Sequence, residues 1–410
     1  MAAAPIRSRR PPVSVLLMLA ALWSTGCGGS RRPAEPADAP NGTAAAALRV
    51  ALFNVRELSL EKIRAAPADE QVAAAARIVA RVRPDVLVVQ EIDWVDGDDA
   101  LAARELRDRH LGPAGAPEYP YVYAAPSNTG ELTGLDLDGD GHVATAADRG
   151  ERRHGNDSYG FGVYPGQYAM AVLSRFPFDA EGARTFRRLL WADLPGNLLP
   201  TSFYPPEVRR VFRLSSKSHW DLPVLVPRNG SLDPARLRLL VSHPTPQGFD
   251  GDEDRNGRRN FDEIRLWSEY LDGAEWIVDD QGRRGGGGGA APFVIVGDLN
   301  ARPNQEPVYG RTAISQLLEH HRVRDSGDVA VSEGATTGRA PGPPDFWERG
   351  TSGRGSRIDY VLPSRDLEIA GGGVFWPDPD VDPEGAADAE LASDHRLVWL
   401  DLLWVPGDRE

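Results

Sequence analysis

A chain of 410 residues, 41% of them hydrophobic, is long enough to bury a large core as one big domain or as two to three small ones. Its formal net charge of -14 argues against broad coating of nucleic acid or anionic membrane, although a local basic cleft stays open to phosphates. The single cysteine, Cys27, excludes an intrachain disulfide, so stability must come from the core and from any bound metal.

In chain order, basic IRSRR (6–10) precedes apolar VSVLLMLAALW (13–23), and small residues STG lead into Cys27. That succession reads as an export signal over residues 1–27, too short to span a membrane as a mature helix. The setting of Cys27 resembles the lipobox at which bacterial lipoproteins are cleaved and lipidated, which implies a membrane lipoprotein. Ser24 departs from the usual Leu, and an ordinary signal with a periplasmic or secreted product is the alternative. Residues 28–47 are small, polar and Pro-rich, too poor in large apolar side chains to pack, and read as a flexible tether.

The folded domain is expected over 48–405. LRVALFNV (48–55) alternates like a strand, and EQVAAAARIVARV (70–82) places Val72, Ala75, Ile78, Val79 and Val82 on one helical face before Pro84. DVLVVQEI (85–92) reads as a buried strand. Further strands are expected at 119–124, 167–174, 236–243, 292–298, 357–362 and 395–405, and a helix over 263–280 with Ile264, Trp267, Leu271, Ala274 and Val278 in one stripe. Long irregular stretches separate them at 125–166, 175–235, 325–356 and 371–393. Strands spread along the chain among fewer helices favour one mixed α/β domain with two sheets, expected to be a monomer.

Several apolar runs end beside a residue suited to metal or phosphate. Asn54 ends LRVALFN, Glu91 ends VLVVQE, and His243 ends RLRLLVSH on the face of Leu237, Leu239 and Val241. Asp298 and Asn300 close FVIVGDLN, Asp359 sits in SRIDYVLPS, and Asp394 and His395 open SDHRLVWLDL. Singly, each has a plain explanation as a turn, a surface group or a hydrogen-bonded core histidine.

Together, in this order and with these flanks, they resemble the endonuclease/exonuclease/phosphatase superfamily from about Leu48 to Trp404. The resemblance implies an α/β four-layer sandwich, two packed mixed β-sheets flanked by helices, with one cleft where the strand ends meet. It implies Glu91 as a ligand of Mg²⁺ or Mn²⁺ with Asn54 beside it, Asp298 aligning or deprotonating the attacking water, and Asn300 holding the phosphate. His243 and His395 would bind non-bridging oxygens, with Asp359 and Asp394 completing the site. VSHPTP departs from the Asn-Thr-His pattern of many members, and Pro244 stiffens the exit from the strand, so substrate specificity does not carry over.

Such a set suits phosphate-ester hydrolysis, in which an anionic centre and a nucleophilic water must meet in line. Carboxylates bind Mg²⁺ through oxygen, the metal and protonated histidines offset charge on the phosphoryl oxygens, and a carboxylate beside water acts as base.

Two acidic stretches read as candidate calcium loops. Asp252, Asp254, Asn256, Gly257 and Glu263 fit D-x-[DN]-x-[DN]-G-x5-E, although PTPQGFDG before them supplies no incoming helix, and a capped helix N-terminus is the alternative. Asp136, Asp138, Asp140 and Gly141 begin a second loop, but Ala147 stands where its bidentate acid belongs, leaving Asp148 or Glu151 to close it. Lys217 in FRLSSKSHWDLPV (212–224) reads as part of a solvated loop anchored by Trp220, with substrate phosphate as its other reading.

The expectation is an exported Mg²⁺- or Mn²⁺-dependent phosphoesterase. A nuclease would require a basic, aromatic-lined groove, so nucleic acid enters only as a substrate. A sphingomyelinase-like phospholipase would require exposed apolar loops, for which WADLPGNLLPTSFYPP (191–206) is the candidate. The rival of another class is a non-catalytic, calcium-stabilised binding protein.

Overall fold

A computed structural model describes residues 47–227, 233–289, 291–335 and 348–404. The export signal, Cys27 and all but the last residue of the tether lie outside the described residues. Among the described residues no helix is long and apolar enough to cross a membrane.

In chain order the strands are β1 (Leu48–Leu58), β2 (Val86–Ile92), β3 (Tyr121–Tyr123), β4 (Ala169–Ser174), β5 (Arg184–Thr185), β6 (His219–Val226), β7 (Ala235–Ser242), β8 (Phe293–Asp298), β9 (Asp359–Pro363), β10 (Leu367–Val374) and β11 (Val398–Trp404). They form a six-stranded sheet ordered β10-β11-β1-β2-β4-β3 and a five-stranded sheet ordered β5-β6-β7-β8-β9. Both sheets are mixed, since β1 runs parallel to β2 and β7 to β8 while the other pairs are antiparallel.

Period-two alternation explains the layering. Val50, Leu52, Val86 and Val88 point inward and join Leu222, Leu239, Val241, Val294 and Val361 of the second sheet in one core. Their neighbours Ala51, Phe53, Leu87 and Val89 point outward onto Val72, Ala75, Ile78 and Val79 of the helix Glu70–Val82. On the far side, Leu240, Phe293, Ile295 and Tyr360 meet Ile264, Trp267, Tyr270 and Leu271 of the helix Arg255–Leu271. The order is therefore helix, sheet, sheet, helix, the expected four layers. Each buried Val or Leu contributes roughly 1.5–3 kcal/mol, so both faces of each sheet are needed.

The 70–82 helix has the bounds its periodicity predicts. The Asp69 side chain accepts from the Gln71 and Val72 N–H groups, and Arg83 leaves the helix in the left-handed region ahead of Pro84. The second long helix differs from the expected 263–280. It begins at Arg255 and stops at Leu271, because Gly273 turns the chain at φ +81, so Ala274 and Val278 fall outside the helix.

Three strands lie where irregular chain is expected or at its margin. Pro223 hides β6, yet β5 pairs only with Trp220 and Asp221, so the missing N–H interrupts no ladder there. Gly371–Gly373 hide β10; a Cβ at Gly373 would lie 2.5 Å from the Trp399 ring, so the indole occupies the space a side chain would take. β5 is two residues long and carries no sequence signal.

Candidate active site

The strand ends of both sheets meet at one edge of the sandwich, and one side chain stitches them. Gln90, fully buried on β2, accepts from the Asp298 N–H at 2.8 Å and donates to the Ser242 carbonyl at 2.8 Å. That amide ties the ends of β7 and β8 to β2 of the other sheet. Where β2 leaves the ladder, its register shifts between Gln90 and Ile92, and Glu91 adopts φ +61, which turns its carboxylate to the edge.

Asn54, buried at the matching point of β1, donates to Glu91 Oε1 at 3.1 Å and to Asp298 Oδ2 at 3.1 Å, while its carbonyl accepts from the Arg56 N–H at 3.0 Å. In this arrangement the Asn54 amide N–H groups position two carboxylates of the cleft. Glu91 Oε2 accepts from the Glu57 N–H at 3.0 Å.

Asp298 is the meeting point. It is 2% exposed; Asn300 N–H donates to its Oδ1 at 3.0 Å, and its Oδ2 lies 3.5 Å from His243 Nε2 and 3.7 Å from His395 Nε2. Burial pushes its carboxyl above the ordinary range, Asp359 and Glu91 add to that, and His395 opposes it. Asn300, at φ +51, donates to the Pro244 carbonyl at 3.1 Å and so holds the exit of the His243 strand. Asp359 accepts from Thr351 Oγ1 at 2.7 Å and from His395 Nδ1 at 2.9 Å.

The two histidines differ. Burial would lower the His395 pKa, but Asp359 and Asp298 more than offset it and hold the imidazole up at about 10, so it is a cation at neutral pH. His243 is pushed well below the usual value by burial and then by Lys217 and His395, and its buried Nδ1 has no partner among the described residues. The two histidines, expected to be protonated alike, are thus pushed in opposite directions by their surroundings. Asp394 is exposed, and its carboxylate makes no hydrogen bond among the described residues.

Lys217, read from sequence as part of a solvated loop, is 7% exposed and lines a cavity together with Glu91 and His243. Its signal was its place two residues before β6, which pairs with the histidine-bearing β7.

The donor set suits a hard divalent cation. Asp298 and Asp359 bring carboxylate oxygens within 4.8 Å of one another beside the His395 imidazole, and the Glu91 carboxylate shares Asn54 with Asp298.

The sequence model of the Endonuclease/Exonuclease/phosphatase family matches residues 51–395. The chain belongs to that family. No significant match was found among curated proteins. Among solved structures, the chain is similar to the endonuclease/exonuclease/phosphatase from Beutenbergia cavernae at 21% identity and TM-score 0.46, covering 88% of this chain and 72% of that one. It is similar to the mannosyl-6-phosphatase of Bacteroides thetaiotaomicron at 14% identity and TM-score 0.43, over 87% and 100% of the two chains. Sphingomyelinase C from Streptomyces griseocarneus aligns at 16% identity and TM-score 0.43, over 87% and 99%. As a member of this family, the chain has the fold of phosphate-ester hydrolases.

Around this family site, the first acidic loop is not a calcium loop. Residues from Arg255 onward are helical, so Asn256 and Glu263 cannot wrap an ion together with exposed Asp252. Glu263 is fully buried and accepts from the Ser216 and Thr245 N–H groups, each at 2.6 Å, bracing the segments beside Lys217 and His243. Asn256 donates to the Gly248 carbonyl, and Asp254 accepts from the Tyr309 hydroxyl.

The second loop closes differently from expectation. Asp136 and Asp138 come within 4.8 Å of Asp157, which the linear motif does not contain, and Asp140 is not in that group. Asp148 instead caps a short helical turn with Thr145, and Glu151 pairs with Arg153. In the 191–206 segment, Trp191, Leu199 and Tyr204 are buried in the outer core and Leu194 is buried too, so these side chains do not form the exposed apolar loop that the phospholipase reading required.

Proposed function

We propose that the protein is an exported, divalent-metal-dependent phosphoesterase that hydrolyses a phosphodiester or phosphomonoester by in-line attack of water. The observation that carries this reading is the position of Asp298, whose Oδ2 lies within 3.7 Å of both imidazoles and is bonded by Asn54.

Glu91, with Asp298 and Asp359 near it, would hold Mg²⁺ or Mn²⁺. When bound, the ion supplies positive charge to the phosphoryl oxygens. Asp298 takes the proton of the attacking water, and its raised proton affinity suits that task near neutral pH. His395, anchored through Nδ1 to Asp359, turns Nε2–H to the cleft and donates to a non-bridging oxygen. His243, whose proton affinity is lowered by burial, is a hydrogen-bonding partner there, and Asn300 fixes the loop that carries it. Calcium at Asp136, Asp138 and Asp157 would brace the rim of the cleft. Export and a lipid anchor at Cys27 rest on residues 1–27 alone; Cys27→Ser would release the protein from a membrane fraction.

Hydrolysis of bis-p-nitrophenyl phosphate or its monoester with Mg²⁺ or Mn²⁺, lost in His243→Ala, tests the reading. Activity unchanged in that variant would sink the assigned site, and no activity in the wild type would favour a binding protein.

A further inference from the structure

Lys217 sits in a fixed position, within the field of the Glu263, Glu91 and Asp298 carboxylates but hydrogen-bonded to none of them among the described residues. Its carbonyl accepts from the Asn128 N–H at 2.9 Å, the Ser216 N–H beside it is held by Glu263, and Gly160 approaches so closely that a Cβ there would lie 1.7 Å from the Ser216 carbonyl oxygen. Its ammonium makes no hydrogen bond or ion pair among the described residues, although the residue is 7% exposed. Burial lowers its proton affinity, and an anion entering beside it would favour the charged form. The cavity it lines with Glu91 and His243 measures about 450 Å³.

Arg56, Arg152 and Arg259 line that cavity as well, none with an ion-paired carboxylate among the described residues, and so do Arg255 and the carboxylates Glu57, Glu91 and Asp138. Five basic side chains against three acidic ones leave an excess of positive charge in one cavity of a chain with net charge -14, which favours a ligand with more than one negative charge. Arg152 lies 5.7 Å over the Phe161 ring, and Phe161 and Phe249 are 44% and 81% exposed, so ring faces are offered next to the charges. The volume falls in the range of about 300–1,000 Å³ usual for small-ligand sites.

We propose that this cavity selects a small phosphate ester built on a ring and carrying a second anionic group, the scissile phosphate lying by Glu91, Lys217 and His243 and the second anion on Arg152. This rests on the phosphoesterase reading. Nucleotides and sugar phosphates share the required chemistry, and the comparison below separates them.

The full chain with Mg²⁺ is assayed on a nucleoside 3′,5′-bisphosphate, a sugar bisphosphate, the matching monophosphates and p-nitrophenyl phosphate. At least one bisphosphate is expected to show kcat/KM tenfold or more above its monophosphate, chiefly through KM. Arg152→Glu, at an exposed position, is expected to erase that ratio, and Arg152→Lys to retain part of it. Calorimetry on metal-free protein is expected to show the preferred bisphosphate binding at least tenfold more weakly to Arg152→Glu. A preference for the nucleoside compound identifies an aromatic ring as the scaffold; a preference for the sugar compound identifies an alicyclic one. Equal kcat/KM for bisphosphates and monophosphates, or an advantage that survives Arg152→Glu, overturns the pocket while leaving the phosphoesterase reading intact. Failure to hydrolyse any ester, p-nitrophenyl phosphate included, overturns both.

Discussion

The Nδ1–H of His395 donates to the Asp359 carboxylate at 2.9 Å, and this pair is what keeps a buried imidazole charged. Folded-state pKa is raised, so the stability this pair contributes is complete below the ordinary histidine value and is lost only as pH passes about 10. Asp359→Asn removes the charge that sustains it. The His395 imidazole is then expected to titrate several units lower, followed by its NMR chemical shift, and a basic limb should appear near neutral pH in kcat/KM. An unchanged titration in Asp359→Asn would contradict the pairing.

Asp298→Asn is nearly isosteric and keeps an acceptor for Asn300, but it cannot take a proton. A fall in kcat of about 10²- to 10⁴-fold is expected, the usual cost of losing a general base. Circular dichroism and the unfolding midpoint should show a folded protein, and a loss of less than tenfold would assign the base elsewhere.

Asp262 gives a pH-dependence of stability away from the cleft. It is buried, pushed up to about 6 by that burial, against the opposing hydrogen bonds from the Leu198 N–H and Trp191 Nε1. Because the folded pKa is raised, its contribution is complete below about 3.8 and is lost as pH rises through about 6. Two units correspond to about 3 kcal/mol. Asp262→Asn should remove this component, gaining on the wild type in urea midpoint at pH 8 but not at pH 4.

The two acidic stretches should respond to calcium differently. Glu263→Gln leaves one buried N–H, of Ser216 or Thr245, without its acceptor and is expected to cost about 1–3 kcal/mol whether or not calcium is present. Asp157→Ala is expected to abolish any calcium-dependent rise in unfolding free energy, which would be about 2.7 kcal/mol at one hundred times Kd. A calcium effect lost in Asp252→Ala but kept in Asp157→Ala would restore the discarded loop.

The sequence carried the sandwich because its strands are apolar runs with period-two faces, and it carried the cleft because Asn54, Glu91, His243, Asp298, Asp359 and His395 each stand at or near the end of such a run. What it hid has physical reasons. Pro223 and the three glycines of β10 look like strand breakers until their neighbours are known. Glu263 matched a calcium pattern in spacing, yet the helix that begins at Arg255 carries it inward to two backbone N–H groups. Asp157 lies far from Asp136 along the chain and completes its cluster only through folding. Lys217 had no strand context until β6 existed, and the charge state of His243 depends on burial that no local pattern encodes.

The part played by Gln90 reaches beyond its hydrogen bonds to Asp298 and Ser242. By pinning Asp298 and Ser242 to β2, it works like the rivet of a pair of pliers: the jaws, one sheet each, keep a set gape without any catalytic group having to hold it. The loops around the mouth are then free to vary in length and sequence without disturbing the spacing on which the chemistry depends.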